Sequence, residues 1–293
     1  MFQHPVLKAT ALLLGVLLVA CNAPTAQQLS PTPASPPTQT VPIKASRVVA
    51  LTSLSADIIH RLDKTKLIGM SGSRLLSQNP EFTQVTKVSE GRSQPNLEKI
   101  VALKPDFVIG AAGFHDPIVS KLQAMGIKTM LTKVDSWQSL NDLTSTIATI
   151  LQSDPQPLLR HYQTFIKPTD QPASTLVLVS RQPILAPNKS SWAGDLMTRF
   201  GTKNLVAELQ GQSQFGGYIT LSAEKVLQAN PEVLILVDTG QGEAEKFKSE
   251  PFWSKLNATQ RNQVYVFDYY GLVNPGSIDA IEKACIQLRK IFT

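Results

Sequence analysis

"NLEKIVALKPDFVIG", residues 96–110, is spelled a second time 126 positions later as "SAEKVLQANPEVLIL", residues 222–236. Glu98 falls on Glu224, Lys99 on Lys225, Pro105 on Pro231 and Ile109 on Ile235, while Asp106 and Glu232 agree in charge. Most other positions exchange one apolar residue for another. Each copy reads as a helix, a turn and a strand, with Asn96 capping the first helix and a proline ending it. A solenoid needs about three or more such repeats. One repetition points instead to two similar lobes with a cleft between them.

The segments around the repeat fit that reading. "RVVAL" (47–51), "LIGMSG" (67–72), "DFVIGAA" (106–112) and "IKTMLT" (127–132) read as strands. They alternate with helices over 55–66, 96–104 and 116–126, the first capped by Ser55 and the last opened by Asp116-Pro117 and closed by Gly126. This β-α-β order makes a largely parallel sheet covered by helices. Residues 136–168 read as two helices broken near Pro155 and Pro157, with no strand of their own. The pattern then restarts with "TLVLVS" (175–180) and a helix over 190–201, which sets Asp195 over Asp57 and Arg199 over Arg61. The expected fold is α/β: two lobes, each a largely parallel sheet flanked by helices, joined by a helical linker. Expected boundaries are 46–135, 136–170 and 171–293. In open α/β sheets the ligand crevice lies beyond the carboxyl ends of the strands. Those ends fall near Ser71–Arg74, Gly110–His115, Ser180–Gln182, Asp238–Gly240 and Asp268–Gly271.

The chain ahead of the lobes is of another kind. "ATALLLGVLLVAC" (9–21) holds about a dozen apolar and small residues where a membrane span needs roughly 20, so residues 1–20 read as a signal peptide. "LVAC" (18–21) resembles a bacterial lipobox, which implies cleavage before Cys21 and a lipid on its sulfur. Residues 21–45 carry six prolines, no aromatic residue and no charge before Lys44, and read as a disordered tether. The expected location is the cell envelope, extracytoplasmic or periplasmic, with the membrane touched only through the lipid. The remaining cysteine, Cys285, sits at helical spacing among apolar residues and reads as core. A formal charge of +6 is spread along the chain with no basic stripe and interleaved aromatics, so nucleic acid is not an expected partner.

"NLEKIVALKPDFVIG", "SAEKVLQANPEVLILV" and "PFWSKLNATQRNQVYVF" resemble the class III periplasmic binding proteins, the receptors of ABC importers for iron-siderophores, haem and cobalamin. The resemblance runs from Arg47 to the C-terminus. It implies that Glu98 and Glu224 dock onto a two-fold permease dimer, since a single chain meeting a dimer must present the same charge twice. The alternative is that both are carboxylates of solvated helices. The resemblance further implies a monomeric receptor with no cofactor of its own, carrying an iron chelate, with cobalamin or haem as the other ligands of the class. An envelope scaffold or sensor that kept the fold without transport is the rival from a different class.

Ligand candidates follow from the strand ends and the repeat. The offset of 126 sets Arg92 over Tyr218, which places them face to face across the cleft. Arg92 suits a carboxylate, catecholate or phosphate oxygen, and Tyr218 can stack and donate. Arg74, Phe114, His115 and Trp192 stand beside strand ends or a loop. Tyr269 and Tyr270 follow the last strand and, being adjacent, point opposite ways. Each has a plain alternative as a packing or solvated loop residue. The histidines outside the signal segment (His60, His115, His161) are scattered, so no dedicated metal site is expected. No P-loop, nucleophile elbow or dinucleotide fingerprint is present, and no enzyme is expected.

Overall fold

A computed structural model describes residues 44–90, 93–170, 172–210, 213, 215–240 and 242–292. Residues 1–20, Cys21, the tether through residue 43, and Arg92 lie outside them.

In the first lobe, β1 (Val48–Ala50), β2 (Leu67–Met70), β3 (Thr86–Lys87), β4 (Phe107–Ala111) and β5 (Lys128–Thr132) form one parallel sheet in the order β3-β2-β1-β4-β5. The helices between them are α1 (Ser53–Asp63), α2 (Arg74–Ser77), α3 (Leu97–Ala102) and α4 (Asp116–Ala124). α5 (Trp137–Leu151) and α6 (Gln156–Gln163) follow with no strand between them. In the second lobe, β6 (Ser174–Leu178), β9 (Lys203–Asn204), β11 (Val233–Asp238) and β12 (Val264–Asp268) form a parallel sheet ordered β12-β11-β6-β9. A separate antiparallel sheet holds β7 (Ser180–Arg181), β8 (Ile184–Pro187) and β10 (Tyr218–Leu221). The helices of this lobe are α7 (Trp192–Arg199), α8 (Ala223–Ala229), α9 (Glu243–Phe247), α10 (Asn257–Gln260), the kinked α11 (Tyr269–Leu272) and α12 (Ile278–Phe292).

The antiparallel sheet is absent from the sequence reading. "QFGGYIT" carries two glycines that mask a strand, and its last three residues pair with β8 in register, Tyr218 against Pro187 and Thr220 against Leu185. The first helix also starts earlier than expected. Thr52, not Ser55, caps it, accepting from Ser55 N at 3.2 Å.

Side-chain alternation along the strands explains how the layers stack. Val49 and Val108 face an outer cluster with Ile100 of α3 and Leu122 of α4. Their neighbours Val48, Ala50, Phe107 and Ile109 face inward. In the second lobe Leu176, Leu178, Leu234 and Leu236 face outward, and Val177, Val233, Ile235 and Val237 inward. The two inward faces belong to one continuous core, which α1, α5, α7 and α12 fill. The lobes are therefore packed against a shared interior, not hung on a strand of chain.

The repeated unit is repeated as structure. α3 and α8 start 126 positions apart, as do β4 and β11, yet the strands lie in different sheets. Asn96 and Ser222 cap the two helices through Lys99 N and Lys225 N. At the matching bend Lys104 and Asn230 both take positive φ, 48° and 39°. The shared acid after each proline has a structural task. Asp106 accepts from Ser46 N and Arg47 N at 2.8 and 3.0 Å, and Glu232 accepts from Ser174 N at 2.8 Å, so each pins the first strand of its lobe.

Candidate functional site

The carboxyl ends of β2, β11 and β12 meet across the gap between the lobes. A cavity of about 210 Å³ lies there, with Asp57, Leu75 and Asn79 on one side and Asp268, Tyr270, Ser277 and Lys283 on the other. Arg74, the first residue of α2, reaches over the gap. A Cβ built on Gly240 would stand 3.6 Å from its Nη2. Gly240 has φ +86°, a conformation that suits glycine and leaves that space to the guanidinium. Among the described residues the Arg74 guanidinium has no hydrogen-bond or ion-pair partner.

The second lobe supplies phenols. Tyr269 and Tyr270 meet edge to face with ring centroids 5.5 Å apart. Tyr269 packs against the shared core, and Tyr270 turns to the cavity. Tyr218 is half-buried at the start of β10; burial raises its pKa well above the tyrosine norm, and the nearby Tyr269 phenol adds to the effect, so Tyr218 stays a neutral donor. Asp238 and Asp268 are register partners at the ends of β11 and β12. Each is engaged locally, accepting from Gly240 N at 2.9 Å and Tyr270 N at 2.8 Å, which fixes the loops that follow. Phe114, beyond β4, is 51% exposed and free to face a guest.

Two candidates are corrected. His115 is 5% exposed, and its Nδ1 accepts from Ala111 N at 2.9 Å, so the imidazole closes the loop after β4 and does not face the gap. Burial holds its pKa below the ordinary 6.5. A histidine depressed in the fold contributes stability above its unfolded pKa and loses it as the pH falls through the folded one. Chemical denaturation should therefore show unfolding free energy declining as the pH drops from 7.5 to 5, with the decline flattened in His115→Asn. Equal slopes in both proteins would overturn this. Trp192 is the second correction. It is 3% exposed, stacks on Trp137 at 6.0 Å and 16°, and donates its Nε1–H to Gly271 O at 2.8 Å. Both rings are core.

Glu98 and Glu224 do not line this cavity; they are exposed at the second position of α3 and α8, and no described residue pairs with either. Sequence reasoning missed Leu75, Asn79, Lys283 and the exposed Phe215, 58% accessible beside Tyr218. Leu75 and Asn79 follow Arg74 directly, so the strand-end rule reaches them when carried one helical turn further. Nothing local marks Lys283. Among the described residues, no three of His, Cys, Asp and Glu converge to hold a metal ion.

The sequence profile of a family described as periplasmic binding protein matches residues 48–270. An Fe(3+)-citrate-binding protein of Bacillus subtilis is 26% identical over 76% of this chain and 73% of its own length. A putative ABC transporter substrate-binding lipoprotein of the same organism is 24% identical, covering 88% of each. The crystal structure of the periplasmic vitamin B12 binding protein of Vibrio cholerae superposes with a TM-score of 0.62 at 22% identity, over 84% of this chain and 98% of that one.

Proposed function

Because the chain belongs to the periplasmic binding protein family, we propose that it is the lipid-anchored receptor of an ABC importer, holding an iron-siderophore or similar anionic chelate between its lobes and delivering it to a permease dimer. Family membership makes it a binding protein, not an enzyme. The observation that carries the ligand class is Arg74. Its guanidinium has no described partner and stands beside Gly240 over the gap, whose second-lobe wall carries the Tyr270 phenol, while Tyr218, held neutral by burial, lies in the same lobe. A cation and neutral phenols suit an oxygen-rich anion. The relative that binds ferric citrate supports the same class. The cavity is smaller than the roughly 300–1,000 Å³ usual for small-molecule sites, so the guest reaches beyond it along the gap. Arg92 and the Cys21 anchor belong to this reading and lie outside the described residues. The lipoprotein relative supports the anchor and an extracytoplasmic location.

The exposed ring of Phe114 and the tyrosine cluster favour a second reading, a flat cobalamin or haem guest. One experiment separates them. Protein extracted from the membranes of iron-starved cells is examined by absorbance and by mass spectrometry for a lipid on Cys21, then titrated with ferric citrate, haem and cobalamin. Arg74→Ala should weaken ferric citrate by about tenfold or more, the size of a lost charge-assisted bond. A Soret or corrin band would replace the chelate reading. No ligand at micromolar concentration would favour the non-transport scaffold, and unmodified Cys21 would remove the anchor.

A further inference from the structure

Each lobe ends in a helix that the other lobe receives. α5 leaves the first lobe after β5, and its first N–H, that of Trp137, donates to Asp195 Oδ2 on α7 of the second lobe at 2.7 Å. α12 closes the second lobe, and its first N–H, that of Ile278, donates to Asp57 Oδ2 on α1 of the first lobe at 2.6 Å. The arginine one turn on holds each carboxylate: Arg61 Nε to Asp57 Oδ1 at 2.9 Å, and Arg199 Nε to Asp195 Oδ2 at 2.9 Å. The first N–H groups of a helix have no partner within it, and the positive end of its dipole favours an anion. A carboxylate from the facing lobe supplies both needs. It does so over a narrow range of separation, because a hydrogen bond weakens steeply with distance and angle.

We infer that Asp57 and Asp195 are positioning residues for the ligand cleft, a pair of reciprocal clasps that fix how far apart the lobes stand. The functional consequence rests on the reading that the guest sits between the lobes. The two clasps differ in surroundings. That of Asp195 starts beside the stacked Trp137 and Trp192, but its carboxylate is part-exposed, at 23% of the side chain. That of Asp57 is the buried one, at 5% of the side chain, with Arg61 reaching on to Asp279 at 2.6 Å; because it also borders the cavity, losing it leaves the lobes room to shift.

Spin labels at Lys99→Cys and Lys225→Cys, exposed on opposite lobes, report the separation by pulsed electron paramagnetic resonance. The full chain carries Cys21→Ser, and Cys285 is buried. Asp57→Ala and Asp195→Ala should each shift or broaden the distance distribution by about 2 Å or more, the scale of a domain rearrangement, and Asp57→Ala the more. Asp106→Ala is the control. It removes a carboxylate that clasps backbone within one lobe, so it should lower Tm and leave the distribution unchanged. A lowered Tm with an unchanged distribution in both clasp variants would overturn the inference. If the alanine variants do not fold, Asp57→Leu and Asp195→Leu, which fill the space but cannot accept the helix N–H, are read by the same criterion. The measurement needs no ligand, so a failed transport reading leaves its outcome intact.

Discussion

Glu98→Ala combined with Glu224→Ala is expected to cut ligand uptake by cells about tenfold or more while leaving the affinity of the purified protein unchanged. Both carboxylates stand at the second position of short helices, exposed and without a described partner, and neither lines the cavity that Tyr270 borders. An exposed ion pair is worth only about 0.2–1 kcal/mol. A docked pair is desolvated, and truncating one side of such a pair costs about 2–5 kcal/mol. The single variants should be intermediate, because one remaining glutamate still selects the partner surface but no longer fixes the register. Uptake assays with the bound ligand, paired with a titration of each purified variant, separate docking from binding. Wild-type uptake by the double variant would end the docking proposal, and weakened ligand binding would move the two residues to a different role.

Trp192→Ala should destabilise the fold by about 3–5 kcal/mol, the range for truncating a large buried aromatic. Three losses combine: a cavity where the indole stood, the stacked face of Trp137, and the hydrogen bond to Gly271 O, which is left buried without its donor. A tryptophan facing the guest would behave otherwise, costing affinity and little stability. Urea denaturation and ligand titration on one preparation distinguish the two. A variant as stable as wild type with reduced affinity would return Trp192 to the gap.

The parallel sheets were legible because their strands are buried on both faces and read as unbroken apolar runs, as in "DFVIG" and "EVLILV". The helix starts were legible where a cap residue precedes an apolar stripe, as at Asn96. The antiparallel sheet was not, since β7 has two residues and β10 follows a glycine pair, too little for alternation to register. For the site, strand-end position pointed to Arg74 and Tyr270, which the structure places at the gap, because topology alone fixes where strand ends lie. It could not tell that His115 and Trp192 are buried away from the gap. What decides those two is a hydrogen bond to Ala111 and another to Gly271, 79 positions from Trp192. Asp57 over Asp195 was visible as a coincidence of spacing, but the helix each one meets comes from the opposite half of the chain.

Asp57 and Asp195 stand 138 positions apart, whereas everything from α3 through β4 repeats at 126. Twelve residues have thus come or gone between them in one half, in the stretch where the first lobe builds β2, α2 and β3. The outer unit keeps its length and its helix–bend–strand order although only four of its fifteen residues agree between the halves, whereas the inner stretch differs in length. Added residues are tolerated in segments that border open space and not where a strand must hold its register. The two walls of the gap are therefore unlike, while the two outer faces match.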